Sequence, residues 1–278
     1  MKTILGICLS AALSLTPAWS GRALAAFDLR PLPPDERGAA TALAAGLGED
    51  EEGSAGPGGT SGFRLEAVRV YGFRPFGVEG IDFGAASIEV GLPGQTSVRL
   101  GCQVLRTLSY DERVYEVAWA WMPGRLRLEP ALRLGTVALD GLPIDRALLA
   151  DFTFKASPAR DLVIVCRAHN PFALRLLRSK GRCPTEITAG AGYRLRSGLA
   201  FGVEIAKQAG FPTSVATGAE VSLVGGVLLR AGVNTEPEEF SMGIGFRVSR
   251  IALDVSATYH LDLGVTHEAG ITYRPGSG

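Results

Sequence analysis

The sequence predicts an all-β fold: a transmembrane antiparallel β-barrel of about fourteen strands, preceded by a short irregular or helical N-terminal segment. Three observations predict it. The chain opens like an exported protein, apolar residues recur at every second position from residue 63 onward, and the connections between those runs alternate between tight and long.

Lys2 is followed by an apolar run over residues 4–15 and then by Ala23-Leu24-Ala25. The run is shorter than the roughly 18 residues of a membrane helix, and Ala-x-Ala suits signal peptidase. We therefore expect residues 1–25 to be a signal peptide, 26–62 a flexible segment and candidate plug, and 63–278 the barrel. Residues 26–62 hold Pro31, Pro33 and Pro34, an Ala-rich patch over 39–47 suited to a short helix, Glu49-Asp50-Glu51-Glu52 and Gly56-Pro57-Gly58-Gly59. That mixture reads as a linker.

Composition narrows the class further. Lys plus Arg number 28 and Asp plus Glu number 28, so the net charge is zero and no basic patch points to nucleic acid. No stretch after the leader approaches a membrane helix, so any membrane crossing must be made by strands. Cys8 lies in the leader, upstream of the cleavage site and without a lipoprotein pattern; Cys102, Cys166 and Cys183 remain, too few and too spread for a disulfide framework. Whether Cys166 and Cys183 pair is left open.

Period two is clearest near the C-terminus. Phe240, Met242, Ile244, Phe246 and Val248 form one face against Ser241, Gly243, Gly245, Arg247 and Ser249. Ile251, Leu253, Val255, Ala257 and Tyr259 oppose Ala252, Asp254, Ser256, Thr258 and His260. The same division recurs in Ala269, Ile271 and Tyr273, in Leu199, Phe201, Val203 and Ile205, in Ile187, Ala189, Ala191, Tyr193 and Leu195, and in Tyr115, Val117, Trp119 and Trp121. Leu126, Leu128, Leu132 and Leu134 stand against Arg127, Glu129 and Arg133.

Tight connections fall at Leu92-Pro93-Gly94, Met122-Pro123-Gly124, Ser157-Pro158-Ala159, Arg196-Ser197-Gly198, Gly225-Gly226 and Ser249-Arg250. Longer ones fall between them, at 108–111, 138–146, 170–184, 207–212, 235–239 and 261–265. Short turns on one side and longer loops on the other are the habit of outer-membrane barrels, with the short side periplasmic.

In hydrocarbon every backbone polar group must be paired, so strands cross only as a closed barrel. Arg99, Arg127, Glu129, Arg133, Asp151, Lys155, Arg167, Arg194, Glu204, Glu220, Arg230, Arg247, Asp254 and Glu268 all oppose the apolar face. A charge facing lipid at mid-membrane costs about 2–4 kcal/mol, so these are expected to line the lumen. Tyr110, Tyr115, Trp119, Trp121, Tyr193, Phe240, Tyr259 and Tyr273 are expected to form interfacial girdles. The alternative is a secreted soluble β-sandwich, which turns the same faces the other way round.

The stretch Gly218-Ala219-Glu220, Leu229-Arg230-Ala231-Gly232-Val233, Phe240-Ser241-Met242-Gly243-Ile244-Gly245, Leu253-Asp254, Tyr259-His260, Leu263-Gly264-Val265-Thr266-His267 and Ile271-Thr272-Tyr273 resembles the closing strands of PorV/PorQ-type outer-membrane proteins, relatives of the FadL transport barrels. Ala150-Asp151-Phe152, Leu162-Val163-Ile164 and Asn170-Pro171 look like that family's middle strands. The resemblance implies fourteen strands and an N-terminal segment able to enter the lumen. It also implies a carrier or docking component for protein export or surface attachment, with FadL-like passive transport of hydrophobic or small solutes as the alternative. The implied partners are outer-membrane lipids, the outer-membrane assembly machinery, and secreted proteins or a hydrophobic solute. The family's N-terminal motif is echoed only in Arg37-Gly38-Ala39-Ala40, and the sequence departs from the family in ending Tyr273-Arg274-Pro275-Gly276-Ser277-Gly278 rather than on a terminal aromatic, a part left to Tyr273 further in.

No cofactor, metal or catalytic centre is expected. The three histidines are His169, His260 and His267; a rim metal site would need His260 and His267 to converge with Asp262 and Glu268. Ser256, His260 and Asp254 make a triad on paper only, because Ser256 and His260 lie roughly 13 Å apart along one strand. No nucleophile elbow or P-loop appears. The basic positions Arg127, Arg133, Arg194 and Arg230 either select anionic solutes or pair with Glu129, Glu204 and Glu220 on neighbouring strands, the reading we favour. Residues 170–184, with Leu174, Leu176, Leu177 and several basic side chains, form the longest connection: a lid, a partner surface or a helix on the rim.

Overall fold

The computed structural model describes residues 63–195 and 198–275. The leader and the 26–62 segment lie outside the described residues.

Fourteen antiparallel strands, each hydrogen-bonded to its neighbours in sequence, close into one barrel. They are β1 (Arg64–Arg74), β2 (Asp82–Leu92), β3 (Thr96–Arg106), β4 (Tyr110–Trp121), β5 (Leu126–Leu139), β6 (Asp145–Ala159), β7 (Leu162–His169), β8 (Glu186–Arg194), β9 (Leu199–Gln208), β10 (Thr213–Ser222), β11 (Val227–Thr235), β12 (Glu238–Val248), β13 (Ile251–His260) and β14 (Gly264–Tyr273). The seam joins β1 to β14 through Val68 opposite Tyr273 and Arg74 opposite His267, so no strand edge is left bare. A 3-10 turn, Pro75–Gly77, is the single helical element among the described residues.

The alternation seen in the sequence decides which way each strand faces. Along β4, Glu112, Val114, Glu116, Ala118 and Ala120 are buried, while Tyr115, Val117, Trp119 and Trp121 are exposed. Along β9, Ala200, Glu204 and Ala206 are buried against exposed Phe201, Val203 and Ile205. Large apolar side chains therefore cover the outside of the barrel and polar ones its inside, the reverse of a soluble β protein. Pro130 sits in β5 without breaking it: the register with β4 is the same before and after, at Ala118 opposite Ala131 and Trp121 opposite Leu128. Proline lacks the N–H for one ladder bond, and the ladder simply skips it.

The tight connections all lie at one end of the barrel and the others at the opposite end. Their lengths differ less than the sequence suggests: 236–237 joins β11 to β12 in two residues, while 223–226 at the tight end takes four. Strands extend further than the apolar runs do, so β6 runs on through Ser157-Pro158-Ala159 and turns at 160–161. The connection 75–81 between β1 and β2 belongs to the long-loop end and was not among the expected loops. Gly226 (φ +77) is required in the 223–226 turn, since a Cβ there would lie 2.3 Å from the Arg247 carbonyl oxygen.

Candidate functional site

The inner wall is built from charges that the alternation brings to one face. Glu89 of β2 is the centre of the first cluster: it accepts from Arg69 Nη1 of β1 (3.2 Å), from Ser97 Oγ of β3 (3.0 Å) and from Arg127 Nη2 of β5 (2.9 Å). Side chains from β2 and β5 can meet only on the concave side of a curved sheet, because on the convex side they splay apart. That contact fixes this face as the lumen.

From Glu89 the ion pairs continue around the wall. Arg127 donates to Glu129 on its own strand (2.7 Å), and Arg99 bridges Glu129 (2.5 Å) and Glu116 (3.1 Å). Arg133, fully buried, donates to Asp151 at 3.0 Å and lies 3.8 Å from Glu116. Asp151 in turn meets His169 Nδ1 at 2.8 Å and accepts from the Asn170 N–H at 3.0 Å. One chain of alternating charge thus runs from β1 to the end of β7. Glu89, Glu116, Glu129 and Arg133 are buried and are held by pairing, since each alone would carry a large desolvation cost.

A second cluster stands on the far wall, where Arg230 of β11 donates to Glu220 of β10 (2.8 Å) and to Asp254 of β13. Arg167 reaches Glu204 at 3.5 Å, and Ser256 Oγ donates to Glu268 at 3.4 Å. Lys155, Arg194 and Arg247 share the inward parity and are half-buried. The fourteen charges expected in the lumen lie on the face opposite the apolar one. Arg230 pairs with Glu220 directly opposite it on the neighbouring strand, Arg133 pairs with Asp151 of the adjacent β6, and Arg127, besides meeting Glu129 on its own strand, reaches across two intervening strands to Glu89. The sequence reading missed Arg69, Glu89, Glu112 and Glu116, although Arg69 sits between Val68 and Val70, Glu89 between Ile88 and Val90, and Glu116 between Tyr115 and Val117; Glu112, between Asp111 and Arg113, has no such flanks.

The aromatics divide by height and face. Trp119, Trp121, Tyr193 and Tyr273 lie outward near the tight-turn end, joined by Phe201, which pairs with Tyr193, and by Phe246. Phe240 and Tyr259 face each other near the long-loop end. Tyr115 is outward but midway along β4, not at an interface. Tyr110 is a correction: it shares the parity of Glu112, donates its hydroxyl to that carboxylate, and packs inside with Phe73, Phe83, Ala85 and Leu105. Phe73 and Phe83 stack there at 4.4 Å.

Residues 170–185 form neither a helix nor a free rim loop. Asn170 (φ 44) is fully buried and its amide donates to the carbonyls of Leu174, Cys183 and Pro184, while its oxygen accepts from the Leu174 N–H. Asp145 at the start of β6 accepts from the N–H groups of Arg178 and Ser179. Between these two anchors Arg175 bridges Arg182 in a small hairpin. Leu176 and buried Cys183 then pack on the inward residues Val114, Ala147 and Leu149, so the loop folds over the mouth of the lumen. Cys183 is a free thiol, as is Cys166 on the outer face, so no staple joins them. Burial, and next the charge of Asp145, push the Cys183 thiol up to about 11.

The remaining candidates disperse. His260 is buried on the inner face and its Nδ1 accepts from the Asp262 N–H, whereas His267 belongs to the outward set of β14. Asp254 is engaged by Arg230 and Ser256 by Glu268, so neither meets His260. Among the described residues no three His, Cys, Asp or Glu side chains gather as a metal site.

No family model matches the chain, and no curated protein matches it. Among solved structures it is similar to the KdgM porin, with TM-score 0.46, 8% identity, and coverage of 75% of this chain and 99% of that one. It is similar to mutant forms of the Rhodopseudomonas blastica porin, with TM-score 0.45, 9% identity, and coverage of 76% and 99%. It is also similar to the toluene transporter TodX of Pseudomonas putida, with TM-score 0.54, 8% identity, and coverage of 79% and 90%. At that identity the likeness to TodX shows a shared barrel fold.

Proposed function

We propose that this chain is an outer-membrane barrel that passes a small solute through its lumen. One observation carries the reading: a closed barrel with an apolar belt around its outside, from Val117 and Trp119 through Leu132 and Val255 to Ile271, while most of its strand charges meet inside. Only lipid wets such a belt favourably, since exposing this much apolar surface to water is costly. Fourteen strands about 4.8 Å apart, tilted by about 40°, close a ring roughly 28 Å across, wide enough for an aqueous path beside the paired charges. The fold shared with a transporter, TodX, supports the same reading.

A second reading, a PorV-type carrier or docking component for exported proteins, is favoured by apolar side chains at the long-loop end. Leu108, Ile144, Phe172 and Leu261 are all exposed there.

The test begins with outer-membrane fractionation and gel mobility with and without boiling, then measures ion current through the purified barrel in a planar bilayer. A heat-modifiable outer-membrane protein that conducts supports transport. A heat-modifiable barrel that carries no current transfers the case to docking, and a soluble protein with no mobility shift sinks both.

A further inference from the structure

Within residues 170–185 there is no Asp or Glu, yet Arg175, Arg178, Lys180 and Arg182 are all present. All four are exposed, and none makes an ion pair among the described residues, in contrast to the neutralised clusters of the inner wall. Neighbouring Arg146, whose carbonyl accepts from the Leu177 N–H, is likewise exposed.

These cations are carried on a fixed frame rather than a loose loop. The Arg175–Arg182 bridge sets two of them side by side, and the Leu176 N–H closes the hairpin onto the Gly181 carbonyl at 3.0 Å. Asp145 holds the backbone of Arg178 and Ser179, and Leu176 and Cys183 anchor the hairpin on the inner face of β4 and β6. The hairpin's charge is therefore presented at the mouth of the lumen.

On the hairpin's own side, Asp140 of the connection 140–144 is exposed and Glu186, half-buried, opens β8, two acids against Arg146 and the four hairpin cations; the other exposed acids of this end stand further round the ring. Glu79, Glu236, Glu238 and Asp262 are exposed on or beside the connections 75–81, 236–237 and 261–263, and the β14–β1 seam lies halfway round from β7–β8. Across a ring roughly 28 Å wide they are several times the Debye length of about 8 Å away, so they do not cancel the field near the hairpin. Asp145 itself is buried and its oxygens are occupied by backbone donors.

We propose that residues 175–182 form an anion-selecting mouth, drawing small solutes that carry carboxylate, sulfate or phosphate groups into the lumen past Arg175, Arg178, Lys180 and Arg182. This rests on the transport reading above.

The experiment is the reversal potential of the purified barrel in a neutral phosphatidylcholine bilayer under a KCl gradient, so that lipid headgroups contribute no net charge. Chloride is expected to pass in preference to potassium by roughly threefold in about 0.1 M salt, with the preference fading as salt rises. A barrel carrying Arg175→Ser, Arg178→Ser, Lys180→Ser and Arg182→Ser, checked for heat-modifiable mobility, loses the preference. One carrying Glu79→Gln, Glu236→Gln, Glu238→Gln and Asp262→Asn keeps it. Conduction with no anion preference, or a preference that survives the fourfold serine change, overturns the inference and leaves transport standing. A folded barrel with no conductance overturns both, because a mouth that passes no ion selects none.

Discussion

Arg127 of β5 donates its Nη2 to Glu89 of β2 at 2.9 Å, a bond that spans the two intervening strands across the inside of the curved wall. Neighbouring strands are held together by their own ladders; this pair instead ties segments that the ladder does not join. It braces the barrel against flattening at its most charged section.

Removing Glu89 therefore strands several donors at once. Glu89→Ala leaves Arg69, Arg127 and Ser97 without this acceptor in a buried setting, and breaking one partner of a buried pair costs about 3–5 kcal/mol. The expected outcome is a lower boiling temperature for the mobility shift and a lower urea midpoint. The double change Glu89→Ala with Arg127→Ala should cost less than the two single losses added, because the partners share one interaction. Strict additivity would mean that the bond does not couple them.

Asn170→Ala tests the anchoring of the hairpin. Three loop carbonyls lose their donor, each orphaned buried group costing about 1–3 kcal/mol, and alanine tolerates the positive φ less well than asparagine. The cost should appear as local opening rather than barrel unfolding. Trypsin added to the folded protein is expected to cut faster at Arg175, Arg178, Lys180 or Arg182, with heat-modifiable mobility retained. Phe172→Ala, at an exposed neighbour, should leave the cleavage rate alone. Equal resistance of the Asn170 variant and the parent would show that the loop is held by something else.

The contrast between β4 and this loop explains what was legible in the sequence. Tyr115, Val117, Trp119 and Trp121 announce an outward face because a strand has one local period, and closure then follows from repeating it fourteen times. Glu116 and Glu89 were readable by the same parity. The bond from Glu89 to Arg127 was not, since it depends on curvature and on stagger between strands far apart in sequence. Nor was the infolding of residues 170–185, which Asn170 and Asp145 set through backbone bonds without any periodic signature. Tyr110 was misplaced because residue type outweighed its parity with Glu112.

The apolar belt makes a position-dependent prediction. Leu132, 60% exposed and near the middle of β5, faces outward; Val224 is 98% exposed but sits in the tight turn 223–226. An arginine at mid-membrane on the lipid face costs about 2–4 kcal/mol, falling to about 0–1 near the interface. Leu132→Arg should therefore fold into lipid vesicles in markedly lower yield, while Val224→Arg folds like the parent. Equal yields would contradict a lipid-covered middle and favour a soluble β protein.

Cys183 gives a pH-resolved test of the packed hairpin. Burial raises its thiol from the ordinary thiol range to about 11, so the folded state disfavours the thiolate. The stabilisation belongs to the neutral thiol: it is fully present below about pH 9, where folded and unfolded chains both hold the proton, and is lost as pH rises through about 11. In a Cys102→Ser, Cys166→Ser background, a small maleimide at pH 7.5 is expected to leave Cys183 unmodified for hours while the barrel is folded, as peptide mass mapping would show. Boiling in detergent should make it react within minutes. Asn170→Ala ought to give an intermediate rate, because opening the hairpin exposes the thiol without unfolding the strands. Fast modification of Cys183 in the intact parent at pH 7.5 would mean that the hairpin does not rest on Val114, Ala147 and Leu149, and the anion-selecting mouth would lose the frame that positions its charges.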